Sequence, residues 1–312
     1  MISVRVPVIR LRAGLAAVPL LLAAGCGGGE ARPEPRVEGG FGDRPRIVFP
    51  GEPGGALTVR TLRPGQGPVV RQGDFVVAHY AAHVWDGGEN RELASTFATG
   101  SPAALKAGTL VPGLNRAVTG QRVGSRVLAA VPPRDAYGPN PPKGLGPDEE
   151  TVYVVDILDR RDPEQAAQGE VTRESVPGVQ IVSRPGARPW FRPAKGAKPP
   201  RRTVARTLIR GRGPAVAKGA TVAVHYEGRL WRDGDSFDAT WTRDGGPRPA
   251  LVPIGSGKAL PAWDRHLEGA RVGSRIALVV PPEDGYGKAG LPGQGVRPTD
   301  TMIFLVDVLA AY

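Results

Sequence analysis

The 312-residue chain carries 41 Lys and Arg against 30 Asp and Glu, a formal net charge of +11, and is long enough for two domains of ordinary size. A single Cys rules out an intramolecular disulfide, and with four scattered His it offers no ligand cluster for a metal. The 44 Gly and 33 Pro interrupt any long periodic run, so short strands and turns are expected rather than a helical bundle.

Residues 1–26 read as a processing segment. Arg5, Arg10 and Arg12 make a basic start, and Ala13 to Leu22 is apolar but broken by Pro19 and too short to span a bilayer well. The stretch ends in Ala23-Ala24-Gly25-Cys26, which resembles a bacterial lipobox with Ala23 in place of the usual Leu. On that reading Cys26 is the acylated residue, and the protein is expected on the extracytoplasmic face of the cell membrane, lipid-anchored. An ordinary secretory signal with a chance Cys is the competing reading. Residues 27–45, rich in Gly, Pro, Glu and Arg, are expected to form a flexible tether.

The remainder is a duplication. RTLRPGQGPVVRQGDFVVAHY, from Arg60 to Tyr80, recurs as RTLIRGRGPAVAKGATVAVHY, from Arg206 to Tyr226. RVGSRVLAAVPPRDAYG, from Arg122 to Gly138, recurs as RVGSRIALVVPPEDGYG, from Arg271 to Gly287. The offsets, 146 and 149 residues, are those of whole domains and not of a solenoid. Each copy alternates apolar residues in short runs separated by Gly and Pro, with one convincing helix, so an α+β fold is expected: an antiparallel sheet wrapped on a short helix. The domains are expected at 46–160 and 201–312. His79 and His225 fall at equivalent strand positions and are read as structural.

Between the copies, 161–200 is expected to be a linker and basic arm. From Arg184 to Lys218 there are eleven Lys or Arg and no Asp or Glu. On an exported protein that bias suggests anionic lipid headgroups or acidic wall polymers rather than nucleic acid; a solvated charge run is the plain alternative. Trp190 and Phe191 interrupt the run and are expected to pack on the domain.

The second copy is organised around Val222 to Trp263. Val222, Val224 and Tyr226 alternate as in a strand, the turn-prone Asp233-Gly234 follows, and Phe237-Asp238 leads into a loop holding Arg243. Pro261 then starts a short helix with Trp263 and Leu267 on one face. Five aromatic residues crowd this stretch without an evident nucleophile–base pair, which describes a pocket rather than a hydrolytic site. No G-x-S-x-G elbow is present, since Ile254-Gly255-Ser256-Gly257 lacks the spacing.

HYEG, then Phe237-Asp238, the apolar pair Ala259-Leu260, Trp263 on a helix, Tyr286-Gly287 and the strand TMIFLVDVL together resemble the FKBP-type peptidyl-prolyl cis–trans isomerases, over roughly Thr203 to Tyr312. The resemblance implies isomerisation of X–Pro bonds without cofactor or metal, in proline-containing exported polypeptides, and binding of macrolide inhibitors by a monomer. It implies catalytic roles for Tyr226, Phe237, Asp238 and Tyr286. Trp263 becomes the pocket floor, Leu260, Val296 and Phe304 its walls, and Arg243 and Tyr226 orient Asp238. Ala259 replaces a commoner larger aliphatic residue, and Ala250 or Leu251 stands at a loop position that is often aromatic; both changes loosen the pocket.

The first copy keeps Tyr80 and Tyr137 but replaces the Phe-Asp pair by Leu93-Ala94, the helix Trp by Leu114, the strand Phe by Tyr153 and Arg243 by Thr99. Phe97 is a candidate to supply an aromatic ring from a shifted register. This copy is expected to have little or no catalysis. The alternative from another functional class is a non-enzymatic cell-surface chaperone that grips apolar segments through either copy.

Overall fold

The computed structural model describes residues 34–88 and 90–312. Cys26 and the first part of the expected tether lie outside them. The first repeat comprises β1 (Arg36–Glu38), β2 (Arg46–Val48), β3 (Thr58–Arg63), β4 (Phe75–Trp85), β5 (Glu92–Ser95), β6 (Ala103–Lys106), α1 (Pro112–Val118), β7 (Arg126–Val131) and β8 (Glu150–Arg161). The second comprises β9 (Gly169–Val171), β10 (Val179–Val182), β11 (Trp190–Pro193), β12 (Val204–Gly211), β13 (Thr221–Leu230), β14 (Ser236–Ala239), β15 (Ala250–Pro253), α2 (Pro261–Leu267), β16 (Arg275–Val280) and β17 (Met302–Ala311).

Each repeat is an antiparallel sheet. The first runs β3-β7-β8-β4-β5 with β6 also on β4; the second runs β14-β13-β17-β16-β12-β9 with β15 also on β13. Each helix opens on a Pro, whose fixed φ and missing N–H suit a first helical position. In α2 the turn-spaced Trp263 and Leu267 are buried against Val224, Ile276, Leu278, Phe304 and Val306 of the sheet. Glu268 (φ −59°, ψ 133°) then leaves the helical conformation, and Gly269 (φ +76°) supplies the positive φ of the turn that follows, closed by Ala270 N–H on the Leu267 carbonyl at 3.1 Å. Among the described residues no helix is long and apolar enough to cross a membrane.

The other face of each sheet is covered too, and this overturns two expectations. Part of the stretch expected as a tether, 27–45, folds into β1 and the turn that leads to β2. Val37, Ile47 and Phe49 of this hairpin region pack on Trp85, Leu128, Val152 and Val154. The stretch 161–200, expected as a linker and basic arm, supplies β9 at the sheet edge and the hairpin β10–β11. Val179, Ile181 and Phe191 there lie on Leu208, Ala277, Val279 and Leu305. Burial on both faces explains why β8 and β17 are near-continuous apolar runs instead of alternating ones.

One polar residue breaks each run, and it is what fastens the hairpin. Arg126, the last residue of the first RVGSR motif, pairs with Asp156 across β7–β8, at 2.6 and 2.8 Å. Its remaining N–H groups donate to the Gly39 and Asp43 carbonyls, and Gly42 N–H donates to Asp156. Arg275 and Asp307 repeat the arrangement, both bonds at 2.6 Å. Arg275 reaches Ser183 Oγ and the Arg184 and Ala187 carbonyls, while Ala167 N–H donates to Asp307. The duplicated unit therefore includes its hairpin, β1–β2 in the first copy and β10–β11 in the second.

The two repeats share an apolar cluster in which Phe75, Val77 and Leu158 meet Ala223, Leu251, Leu309, Ala310 and Tyr312. Two hydrogen bonds flank it: Tyr312 Oη to Asp159 at 2.7 Å, and Lys106 Nζ to the Gly245 carbonyl at 2.5 Å.

Candidate functional site

In the second repeat β13, β14, β15, α2 and β17 enclose a cavity of about 450 Å³ lined by Tyr226, Asp238, Val252, Leu260, Trp263, Tyr286 and Phe304 among others. Tyr226, Trp263, Tyr286 and Phe304 supply the aromatic rings of its wall and floor, and Phe237 packs against Phe304. Trp263 meets Tyr226 edge-on at 5.1 Å between centroids and Phe304 at 5.5 Å, and Phe304 meets Phe237 at 5.6 Å, also edge-on. Gly228 makes the last contact possible, because a Cβ there would lie 2.6 Å from Phe237 Cζ and 2.8 Å from Phe304.

The polar groups are few and specific. Tyr226 Oη donates a hydrogen bond to Asp238 Oδ2. Burial and the hydrogen bond with Asp238 push the Tyr226 phenol well up, so at neutral pH it stays protonated and remains a donor. Burial, then the Asp238 charge, raises Tyr286 as well. Arg243, expected to orient Asp238 itself, reaches the Tyr226 hydroxyl at 3.5 Å and so acts on the carboxylate through the phenol. Tyr286 is positioned by the turn before it, where Asp284 is held by Thr203 and Arg265. Leu260 stands at the start of α2, and Asp264 fixes the approach to it by accepting from Gly255 N–H (2.7 Å) and Gly257 N–H (3.1 Å).

Four expected residues do not line the cavity: Phe237 and Arg243 reach it only through Phe304 and Tyr226, and Val296 and Leu251 sit elsewhere. Val296, expected as a wall, is 1% exposed and belongs to the core cluster without lining the cavity. Leu251 faces the other repeat, because β15 is a strand and not a loop: Ala250 and Val252 line the cavity and Leu251 points the opposite way. Lys258, Pro261 and Gly285 line the cavity too and were not anticipated.

The first repeat retains a cavity of about 330 Å³, lined by Tyr80, Leu93, Leu105, Leu114, Tyr137 and Tyr153 among others. Strand register settles the correspondence, since Ala82 pairs with Ala94 where Gly228 pairs with Asp238. Leu93-Ala94 therefore replaces Phe237-Asp238. Phe97 does not enter the cavity lining; it stacks on His79 at 5.1 Å, as Trp241 stacks on His225 at 3.8 Å.

Residues 67–158 and 213–309 match the family model described as FKBP-type peptidyl-prolyl cis-trans isomerase. The chain belongs to the FKBP family. The FK506-binding protein of Streptomyces anulatus is 35% identical over 115 residues, 37% of this chain and 90% of that relative. Peptidyl-prolyl cis-trans isomerase FKBP10 of Homo sapiens is 29% identical over 255 residues, 80% of this chain and 36% of that relative. FkpA of Escherichia coli (strain K12) is 38% identical over 99 residues, 32% of this chain and 34% of that relative. The chain thus spans about a third of the length of the human and E. coli relatives. It is an FKBP-type isomerase with two FKBP repeats.

The FKBP repeats also share a histidine whose protonation opposes folding. His225 Nδ1 faces the Thr240 hydroxyl and Nε2 faces the Pro163 carbonyl, each at 2.7 Å. Burial pushes its pKa down to about 4 from 6.5, against the raising effect of the Pro163 carbonyl. The folded state thus resists a proton that the unfolded chain accepts, so the contribution is intact above pH 6.5 and is lost as pH falls toward 4. Urea unfolding should show about 2 kcal/mol less stability at pH 5 than at pH 7 from this group. His225→Gln should flatten that slope; an unchanged slope would assign it to other groups.

Proposed function

We propose that the isomerase activity resides in the second-repeat cavity and serves the folding of proline-containing exported polypeptides. The observation that carries this is the Tyr226–Asp238 hydrogen bond set in an aromatic-walled cavity floored by Trp263. Rotation about an X–Pro bond faces a barrier of about 18–20 kcal/mol, because the planar amide loses resonance on twisting. A cavity that suits the proline ring and the less polar twisted amide lowers that barrier without covalent chemistry. Asp238 acts at the rotating amide, and Tyr286 Oη and the Leu260 N–H hold flanking peptide carbonyls. The chain beginning at Gly27 should catalyse isomerisation of an X–Pro peptide and lose that activity to a macrolide such as rapamycin. An inert protein, or catalysis indifferent to the macrolide, would overturn the assignment.

For the first repeat a second reading is favoured: binding without turnover. Its cavity is kept, but the acid is replaced by Ala94 and the strand Phe by Tyr153, leaving three phenols and Lys143 among apolar side chains. Such a cavity suits an apolar segment with peptide carbonyls and lacks the carboxylate that acts at the rotating amide.

The place of action follows from the N-terminus. The chain acts as a monomer on the extracytoplasmic face of the cell membrane, held by a lipid on Cys26. Cys26→Ala should abolish incorporation of labelled acyl chains in cells; incorporation by that variant would sink the lipobox reading.

A further inference from the structure

The hairpin β10–β11 has two faces of different chemistry. Val179, Ile181 and Phe191 point inward, with Phe191 fully buried. The outward positions are Gln180, Val182, Trp190 and Arg192. Val182 and Trp190 are 53% and 45% exposed, and they are direct cross-strand partners. Beside them Gln180 pairs with Arg192, whose guanidinium lies 5.4 Å from the Trp190 ring centre. Lys195, Lys198, Arg201 and Arg202 follow, all exposed and with no carboxylate partner among the described residues.

Fastening the hairpin does not require this outer face. The first repeat's hairpin does the same structural work with Arg36, Glu38, Arg46 and Val48 outward, of mixed charge and with an Arg46–Glu38 ion pair at 3.3 Å. An exposed Trp beside an exposed Val, bordered by unpaired cations, is a departure that the fold leaves unexplained.

We propose that the outer face of β10–β11 docks on an anionic lipid bilayer. A Trp ring settles at the headgroup level, where its apolar body and its N–H both find a suitable environment. Unpaired Lys and Arg around it are drawn to anionic headgroups over a Debye length. An open cleft of about 730 Å³ next to the pair, lined in part by Gln180, Arg192, Lys195 and Trp231 and holding one carboxylate, Asp233, paired with Arg232 at 2.9 Å, gives headgroups room to enter. The choice of a bilayer as occupant rests on the proposed lipid anchor, since Cys26 lies only eight residues before Glu34, where the described chain begins. A lipid chain together with a basic, partly apolar patch makes the two-signal attachment that holds a protein firmly on a membrane.

The test uses the unacylated chain beginning at Gly27, so its result is independent of whether Cys26 is modified. Co-sedimentation is measured with phosphatidylcholine vesicles, with and without phosphatidylglycerol, at low and high salt. Binding is expected only with phosphatidylglycerol, to fall steeply with salt, and to fall about tenfold or more in Trp190→Ser, an exposed site whose change spares the core. Brominated phosphatidylglycerol should quench emission in the parent and not in Trp190→Phe, the other four Trp serving as the internal reference. Equal binding to neutral vesicles, no vesicle binding, or undiminished binding by Trp190→Ser would each overturn the proposal. So would capture by a soluble acidic polymer without any vesicle binding.

Discussion

Asp238→Val in the full chain should lower kcat/KM toward an X–Pro peptide about tenfold or more, a loss of at least 1.4 kcal/mol of transition-state stabilisation. The carboxylate is the one acid lining the cavity, and Tyr226, kept protonated by its surroundings, holds it in one orientation. A carboxylate fixed in this way acts at the twisting amide without reorganising at the moment of rotation. Phe237→Ala should be of similar size, because it removes the ring that packs on Phe304 and leaves the space above Gly228 open to water. Tyr286→Phe keeps its ring and deletes one hydrogen bond, so a loss of about 0.5–1.5 kcal/mol is expected. Leu93→Ala and Tyr137→Phe in the first repeat should leave the rate on a short peptide unchanged. Equal sensitivity of the two cavities, with thermal unfolding unaffected, would mean that turnover is shared.

The largest stability effect should come from Arg275→Met. Removing one partner of a buried ion pair costs about 3–5 kcal/mol, because the other charge is left without compensation. Asp307 is 1% exposed, and burial already pushes its carboxyl up against the opposing effect of Arg275. Without Arg275 the acid should favour protonation more strongly, so its folded-state pKa rises further above the unfolded value. The variant's stability is then best below that unfolded value and worsens as pH rises, the reverse of the His225 effect. Arg275→Met/Asp307→Leu should recover much of the loss, while the Arg184 and Ala187 carbonyls still lack their donor. A deficit under about 1 kcal/mol in denaturant titration at pH 7 would show that the hairpin is held by its apolar face alone.

Much of the cavity was legible because its chemistry is local. Tyr226, Asp238, Trp263 and Phe304 sit in short runs whose period fixes which way each side chain points, and Pro261 announces the helix. The hairpins escaped notice for an equally local reason. Ile47 and Phe49, or Val179 and Ile181, are spaced by two within stretches so rich in Arg, Gly and Pro that the alternation is outweighed. Their partners, Asp156 and Asp307, look like blemishes in apolar strands until the register brings Arg126 and Arg275 opposite them. Leu251 and Val296 illustrate a different limit. Whether a side chain beside a pocket faces into it depends on which strand β15 joins and on what closes the core around Val296, and neither is written in the nearby residues.

The connection between the repeats has a kinetic meaning. Between the end of β8 at Arg161 and Ala167, docked on Asp307, there are only five residues, and Pro163 among them is gripped by His225. With the shared Phe75–Leu309 cluster, so short a joint behaves as a fixed bracket and not as a leash. A polypeptide caught in one cavity would present its neighbouring segments to the other at an effective concentration on the order of millimolar. Residence time on long unfolded clients should therefore exceed what either cavity gives a short peptide, and turnover on such clients becomes a matter of how often the chain is recaptured before it escapes.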